Sequence, residues 1–267
     1  MLLRSTTLRL LSLALLLLTT EACKKTTDAV STRKCLVRSY DVSGAGITHD
    51  YNVGGQLIKL TGALSVSQVQ EYTYSPGQIT MRVNPAPVKD GTLSATYLLN
   101  SAGYITKIAR VLRPYGSTTL TTYSQFFEYN TDGYLTKITF DDGTYRTLEY
   151  ANGNNTVTKE YTSSGVLRTT YTNTFYEDKT PPISPITDFL GINIESPSFY
   201  AAGLFGQSVK NPLKQSISAG TYNNGVTISY TYAYDADGNI ASALQTYLLK
   251  GNATPTVSTI NYTYLCQ

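Results

Sequence analysis

Tyr129-Asn130-Thr131-Asp132-Gly133-Tyr134-Leu135-Thr136-Lys137-Ile138-Thr139-Phe140 is the stretch that decides the fold class. In its second half Ile138 and Phe140 alternate with Lys137 and Thr139, the period of a strand with one packed face and one wet face. The first half is turn chemistry. Gly133 accepts the positive φ of a tight reversal, while Asn and Asp cap such turns through their side chains.

The same unit recurs outward in both directions. It appears from Tyr72 to Ile79 around Gly77, from Tyr97 to Ile108 around Gly103, from Tyr161 to Leu167 around Gly165, and from Tyr232 to Ile240 around Gly238. Shorter turns stand at Asp142-Gly143, Asn152-Gly153 and Asn224-Gly225. Hairpins in direct succession, with no crossover helices, build an antiparallel meander. The pattern gives about fifteen strands. So many strands rarely stay in one flat sheet, so the sheet is expected to curl into a barrel or fold over itself. The composition agrees: 23 Tyr, 7 Phe and no Trp suit half-buried strands, where a tyrosine combines an apolar body with a polar tip.

Ahead of the hairpins lies an export signal. Arg4 and Arg9 precede an apolar run from Leu10 to Leu18, too short to cross a bilayer as a helix. Thr20-Glu21-Ala22-Cys23 follows and resembles a lipobox, which implies removal of residues 1–22 and lipidation of Cys23. The alternative is ordinary secretory cleavage, leaving a soluble periplasmic protein. Residues 23–33 are polar and read as a flexible tether, and residues 34–267 as a single β domain. The absence of an Asp after Cys23 favours the outer membrane, with the periplasmic or surface face left open. After removal of residues 1–22, Lys+Arg falls from 21 to 19 and Asp+Glu from 18 to 17, so the net charge is +2. That balance gives no electrostatic footprint for nucleic acid.

Cys35 opens the domain and Cys266 nearly closes it. An oxidising envelope permits a disulfide between them, which would require the first and last strands to be neighbours. Two separate buried thiols are the alternative. One segment breaks the rhythm: from Thr180 to Lys214 the chain carries Pro181, Pro182, Pro185, Pro197 and Pro212. Prolines exclude it from central strands, so it is expected to be a long connection with one or two short helical turns. Its apolar residues, Leu204 and Phe205 among them, are expected to plug one end of the sheet.

The hairpin units resemble those of YD-repeat proteins, in which Tyr-Asp, a short polar spacer and Gly precede an aliphatic strand. Tyr234-Asp235-Ala236-Asp237-Gly238-Asn239-Ile240 is the nearest match, and Tyr129-Asn130 has Asn in place of Asp. The lipoprotein leader, the start at Cys35, the repeated turns and the segment before Asn211-Pro212-Leu213-Lys214 look like a Bacteroidetes family of uncharacterised lipoproteins. That resemblance implies a porin-like, many-stranded fold and carries no functional residues with it.

The chemistry of sites is sparse. His49 is the one histidine, so a His-dependent hydrolase or a multi-histidine metal site has little to work with. Glu128, Glu149 and Glu160 lie on strands and could face a lumen as a carboxylate pair for glycoside hydrolysis. Asp235 and Asp237 begin like a calcium loop but lack its later ligands, and turn chemistry explains them. No catalytic residue, cofactor or metal is assigned. Tyr230, Tyr232 and Tyr234 share one face by period two and form the candidate ligand-binding row, unless that face is the core. The expected role is a non-enzymatic lipoprotein, held to a membrane by its lipid, that binds a glycan, peptide or protein partner. The alternatives are a structural part of an outer-membrane assembly and, last, a glycan-active enzyme. A true porin is disfavoured, because Thr, Ser, Asn and Lys fill the positions an outward apolar band would need.

Overall fold

A computed structural model describes residues 35–42, 45–62, 68–86, 91–178, 203–207, 209–221 and 225–266. The expected signal peptide, Cys23, the tether and most of the proline-rich segment with its helical turns lie outside them.

Sixteen strands follow one another. They are β1 Cys35–Val42, β2 Ala45–Tyr51, β3 Leu57–Thr61, β4 Val69–Ser75, β5 Gln78–Asn84, β6 Gly91–Leu99, β7 Ile105–Arg113 and β8 Thr121–Tyr129. Then come β9 Leu135–Phe140, β10 Tyr145–Ala151, β11 Asn154–Tyr161, β12 Leu167–Phe175, β13 Leu213–Gly220, β14 Thr227–Tyr234, β15 Ile240–Leu248 and β16 Thr256–Cys266. Each pairs antiparallel with its sequence neighbours, and β1 pairs with β16, so the sheet closes into a barrel. Closure removes the two exposed edges that an open meander would present. It also sets Cys35 opposite Cys266 in register, and the two form a disulfide across a sequence separation of 231.

The turns explain why the unit recurs. In the loop after β6, Asn100 Oδ1 accepts hydrogen bonds from the amides of Ala102 and Tyr104 at 3.0 and 2.9 Å. Gly103 supplies the required φ of 83°. Asn52 holds its own loop in the same way, through the amides of Gly54 and Gln56. The first residue of the turn therefore needs only a side-chain oxygen, which both Asn and Asp provide.

Alternation along the strands separates two faces. On β5, Ile79, Met81 and Val83 are buried while Gln78, Thr80 and Arg82 are not. One apolar interior cluster runs through β3 to β10, including Leu60, Tyr97, Ile108, Phe127 and Ile138. A second gathers Val37, Leu213, Tyr230, Tyr232, Ile240 and Tyr262 from β1 and β13 to β16. Between them β11 to β13 bury Asn155, Thr158, Thr169, Asn173, Ser216 and Ser218. Hydrogen bonds offset part of that polar burial: Asn173 Nδ2 donates to the Asn155 carbonyl at 3.0 Å, and Thr158 Oγ1 to Asn155 Oδ1 at 2.9 Å. The outer face carries cross-strand ion pairs, Lys137 with Glu128 at 3.2 Å and Lys159 with Glu149 at 2.6 Å.

The two ends of the barrel differ. At the end holding Cys35, Cys266 and the loops after β2, β4, β6 and β8, the short stretch 203–207 folds in as a turn. Phe205 is buried edge-on against Phe127 at 5.4 Å between ring centroids. The Leu204 carbonyl accepts from the Ile105 amide at 2.7 Å, and the Gln207 amide donates to the Gly133 carbonyl at 2.8 Å. This part of the broken segment thus plugs the barrel, as its apolar residues suggested. The opposite end, reached by the loops after β7, β9 and β11, carries polar and charged side chains.

Candidate functional site

Tyr230 and Tyr232 are buried and Tyr234 is half-buried, all three in or against the second interior cluster. Tyr232 donates to the Leu213 carbonyl at 2.7 Å, and Tyr230 accepts from Gln245 Nε2 at 2.9 Å. The row is therefore packing material rather than a solvent-facing platform, and the sequence alternative, a core face, describes its position. The reason is closure: on a curled sheet the concave side collects the aromatic face.

The three strand glutamates also separate. Glu128 and Glu149 face outward on their lysines, and Glu160 alone turns inward. No carboxylate pair forms among them. His49 is buried between Tyr40 and Tyr51, with ring centroids 5.7 and 6.3 Å away. Neither ring nitrogen reaches hydrogen-bonding geometry with a partner, and the nearby Arg38 backbone only tempers the effect of burial, which lowers its pKa to about 4. Asp235 spends both carboxylate oxygens on Asn239. Among the described residues no group of three His, Cys, Asp or Glu side chains is placed to hold a metal.

What the structure does assemble lies at the polar end. A cavity of about 320 Å³ is lined by Tyr123, Phe140, Thr144, Tyr145, Arg146, Glu160, Tyr161, Arg168 and Tyr171. Strands β8 to β12 each contribute, so its geometry is fixed by sheet registers. Arg146 on β10 and Glu160 on β11 sit opposite each other and form an ion pair, with side chains only 17 and 16% exposed. Arg146 Nε donates to Glu160 Oε1 at 2.6 Å, Tyr171 donates to Glu160 Oε2 at 3.2 Å, and the guanidinium lies 5.3 Å from the Phe140 ring centroid. One register step along, and so on the outer face of the sheet, Tyr145 and Tyr161 stack at 4.7 Å with an interplanar angle of 12°, with Lys137 over the Tyr145 ring. Burial, then the charge of Asp142, pushes the Tyr123 hydroxyl above its usual pKa, so it stays a hydrogen-bond donor. Deeper in the same interior, Arg110 Nη1 donates to Gln125 Oε1 at 2.7 Å.

Of these residues the sequence singled out Glu160 alone. A signal for Arg146 existed in the Asn152-Gly153 hairpin, but counting outward from that turn sets Arg146 opposite Lys159. A bulge between Glu149 and Tyr150 moves the register by one and delivers Glu160 instead.

Comparison with solved structures agrees with the fold. A porin-like protein from Bacteroides uniformis ATCC 8492 superimposes with a TM-score of 0.65 at 22% identity, covering 87% of this chain and 98% of that one. A porin-like protein from Bacteroides vulgatus ATCC 8482 does so with a TM-score of 0.56 at 11% identity, covering 86% and 98%. No curated protein matches the chain. Residues 45–242 match the family described as a domain of unknown function (DUF4595) with porin-like fold, and the chain belongs to that family.

Proposed function

We propose that the chain is a non-enzymatic binding protein of the cell envelope, held by lipid on Cys23, which takes its ligand at the polar end of the barrel. The single observation that carries this reading is the cavity around Arg146 and Glu160, where charged groups and tyrosines are already held in place by strands. Rigid, preorganised polar groups beside aromatic rings are what a binding site needs and what a packing core avoids. The resemblance of Thr20-Glu21-Ala22-Cys23 to a lipobox supports export and anchoring.

A transport channel fits poorly. An outer-membrane barrel turns an apolar band outward and a polar surface inward. Here the interior holds the apolar clusters, and the outer face holds Lys137, Glu128, Lys159 and Glu149. One observation favours a second reading, a purely structural role: the plugged end is filled by tyrosines and by Phe205.

The test is a screen of the purified full chain against glycan and peptide arrays and an envelope extract, repeated with Arg146→Ala and Tyr171→Phe. Binding that both variants weaken supports the reading. No binding, or binding that ignores both changes, rejects it.

A further inference from the structure

We infer that a second cavity, set in the barrel wall beside the loop after β10, binds a short peptide with free termini. No residue that lines it also lines the cavity around Arg146, so the two readings stand or fall separately.

The wall is breached between β11 and β12. Their shared rungs run only from Tyr161 opposite Leu167 to Val157 opposite Thr172. Both strands continue past that last rung, through residues 154–156 and 173–175, and there each ladders only with its other neighbour, β10 or β13. The far end of the gap is bridged. The Lys210 amide donates to the Gly153 carbonyl at 2.9 Å, and the Asn211 amide to Asn154 Oδ1 at 2.9 Å. Asn154 Nδ2 donates in return to Asn211 Oδ1 at 3.0 Å. Residues 210 and 211 thus frame the gap against the last rung. A gap framed in this way has no room for an added strand, which needs an open-ended edge. It admits a short ligand instead: the cavity measures about 640 Å³, within the roughly 300–1,000 Å³ of small-molecule sites.

The lining complements a zwitterion. Lys210 and Glu177 both face the cavity and are exposed, and among the described residues neither takes part in an ion pair. One charge of each sign matches the carboxylate and the ammonium of a peptide with free ends. Asn173, which also lines the cavity, is buried at 4% exposure. Its Nδ2 donates to the carbonyl and Oδ1 of Asn155, while its own Oδ1 has no hydrogen-bond partner among the described residues. A buried acceptor without a donor is costly, and a peptide N–H supplies one. A neutral sugar would leave both charges unused, and a simple anion or cation would use only one.

The test is titration calorimetry of the full chain with tripeptides that differ in the middle residue, with their N-acetylated and C-amidated forms, and with maltotriose. Free-ended tripeptides should bind, and capping either end should weaken binding about fivefold, the loss of one exposed ion pair. Lys210→Met should bind free and C-amidated peptides alike, and Glu177→Gln should bind free and N-acetylated peptides alike. Both positions are exposed, so the melting temperature should not move. In the parent chain, bound tripeptide should slow amide exchange at 154–156 and 173–175. Equal binding of capped and free peptides by the parent chain, maltotriose binding in their place, or no binding of any tripeptide would overturn the inference and leave the polar end untouched. Tripeptides that slow exchange around Arg146 and Tyr171 instead would overturn it in favour of the polar end.

Discussion

Asn130 and Asp235 occupy the same station in two distant hairpins. Each side-chain Oδ1 accepts from the amides two and four residues ahead, at 3.1 and 2.9 Å for Asn130 and at 3.0 and 2.8 Å for Asp235. The glycine three residues on has a φ of 83° in both. Charge is incidental to this geometry. Asn130→Asp and Asp235→Asn should each leave the melting temperature nearly unchanged, whereas Asn130→Ala should cost about 1 kcal/mol by denaturant titration. Equal losses from Asp and Ala at position 130 would contradict the shared role.

Glycine at 206 and at 238 should respond very differently to alanine. Both have positive φ, 82° and 83°, so each substitution pays roughly 1–2 kcal/mol for the left-handed backbone. A Cβ at Gly238 would meet nothing within 4 Å. At Gly206 it would press against the Gly133 carbonyl and the Tyr129 ring, and so push the plug outward. Gly206→Ala should therefore lower the melting temperature well beyond Gly238→Ala and raise the binding of a hydrophobic dye as Phe205 is uncovered. Similar melting temperatures for the two variants would contradict the plug.

Acidification should weaken the fold through His49. Its folded pKa, lowered to about 4 by burial, lies below the ordinary 6.5. The unfolded chain thus takes the proton first, and stability falls as pH drops from about 6.5 to about 4, then levels off for this group. The full effect is about 3 kcal/mol. His49→Phe should flatten that window in denaturant titrations run at several pH values, because a phenyl ring can stack between Tyr40 and Tyr51. An unchanged slope in the variant would assign the acid sensitivity elsewhere.

Removing the bridge with Cys35→Ser and Cys266→Ser should destabilise the barrel by about 5 kcal/mol, since it closes nearly the whole chain. Reductant should lower the denaturation midpoint of the parent chain and leave that of the double variant alone.

Cys23→Ala should abolish incorporation of labelled palmitate and move the protein from membranes to the soluble periplasmic fraction. Continued labelling would remove the anchor from the proposal.

Much of this architecture was legible because local rules and the global fold agree. Period-two runs such as Thr227–Tyr234 and turns such as Asp235 to Gly238 specify hairpins without reference to anything distant. The pair at Cys35 and Cys266 marked closure, since bonding them brings β1 beside β16. Which face would be concave was not written locally, so Tyr230 and Tyr232 could be read as surface or core until the ring closed. The cavity was less legible still. Tyr123, Arg146, Glu160 and Tyr171 come from four strands, and one bulge decides which side chain Arg146 meets.

The clasp between Cys35 and Cys266 has a mechanical meaning. A pull arriving through the chain ahead of Cys35 would ordinarily peel β1 away from β16, one ladder rung at a time. With the sulfurs joined at the rung where peeling would begin, that first rung cannot open and the load is shared with β16. A ring closed this way cannot start to open at the seam between its first and last strands without breaking a covalent bond.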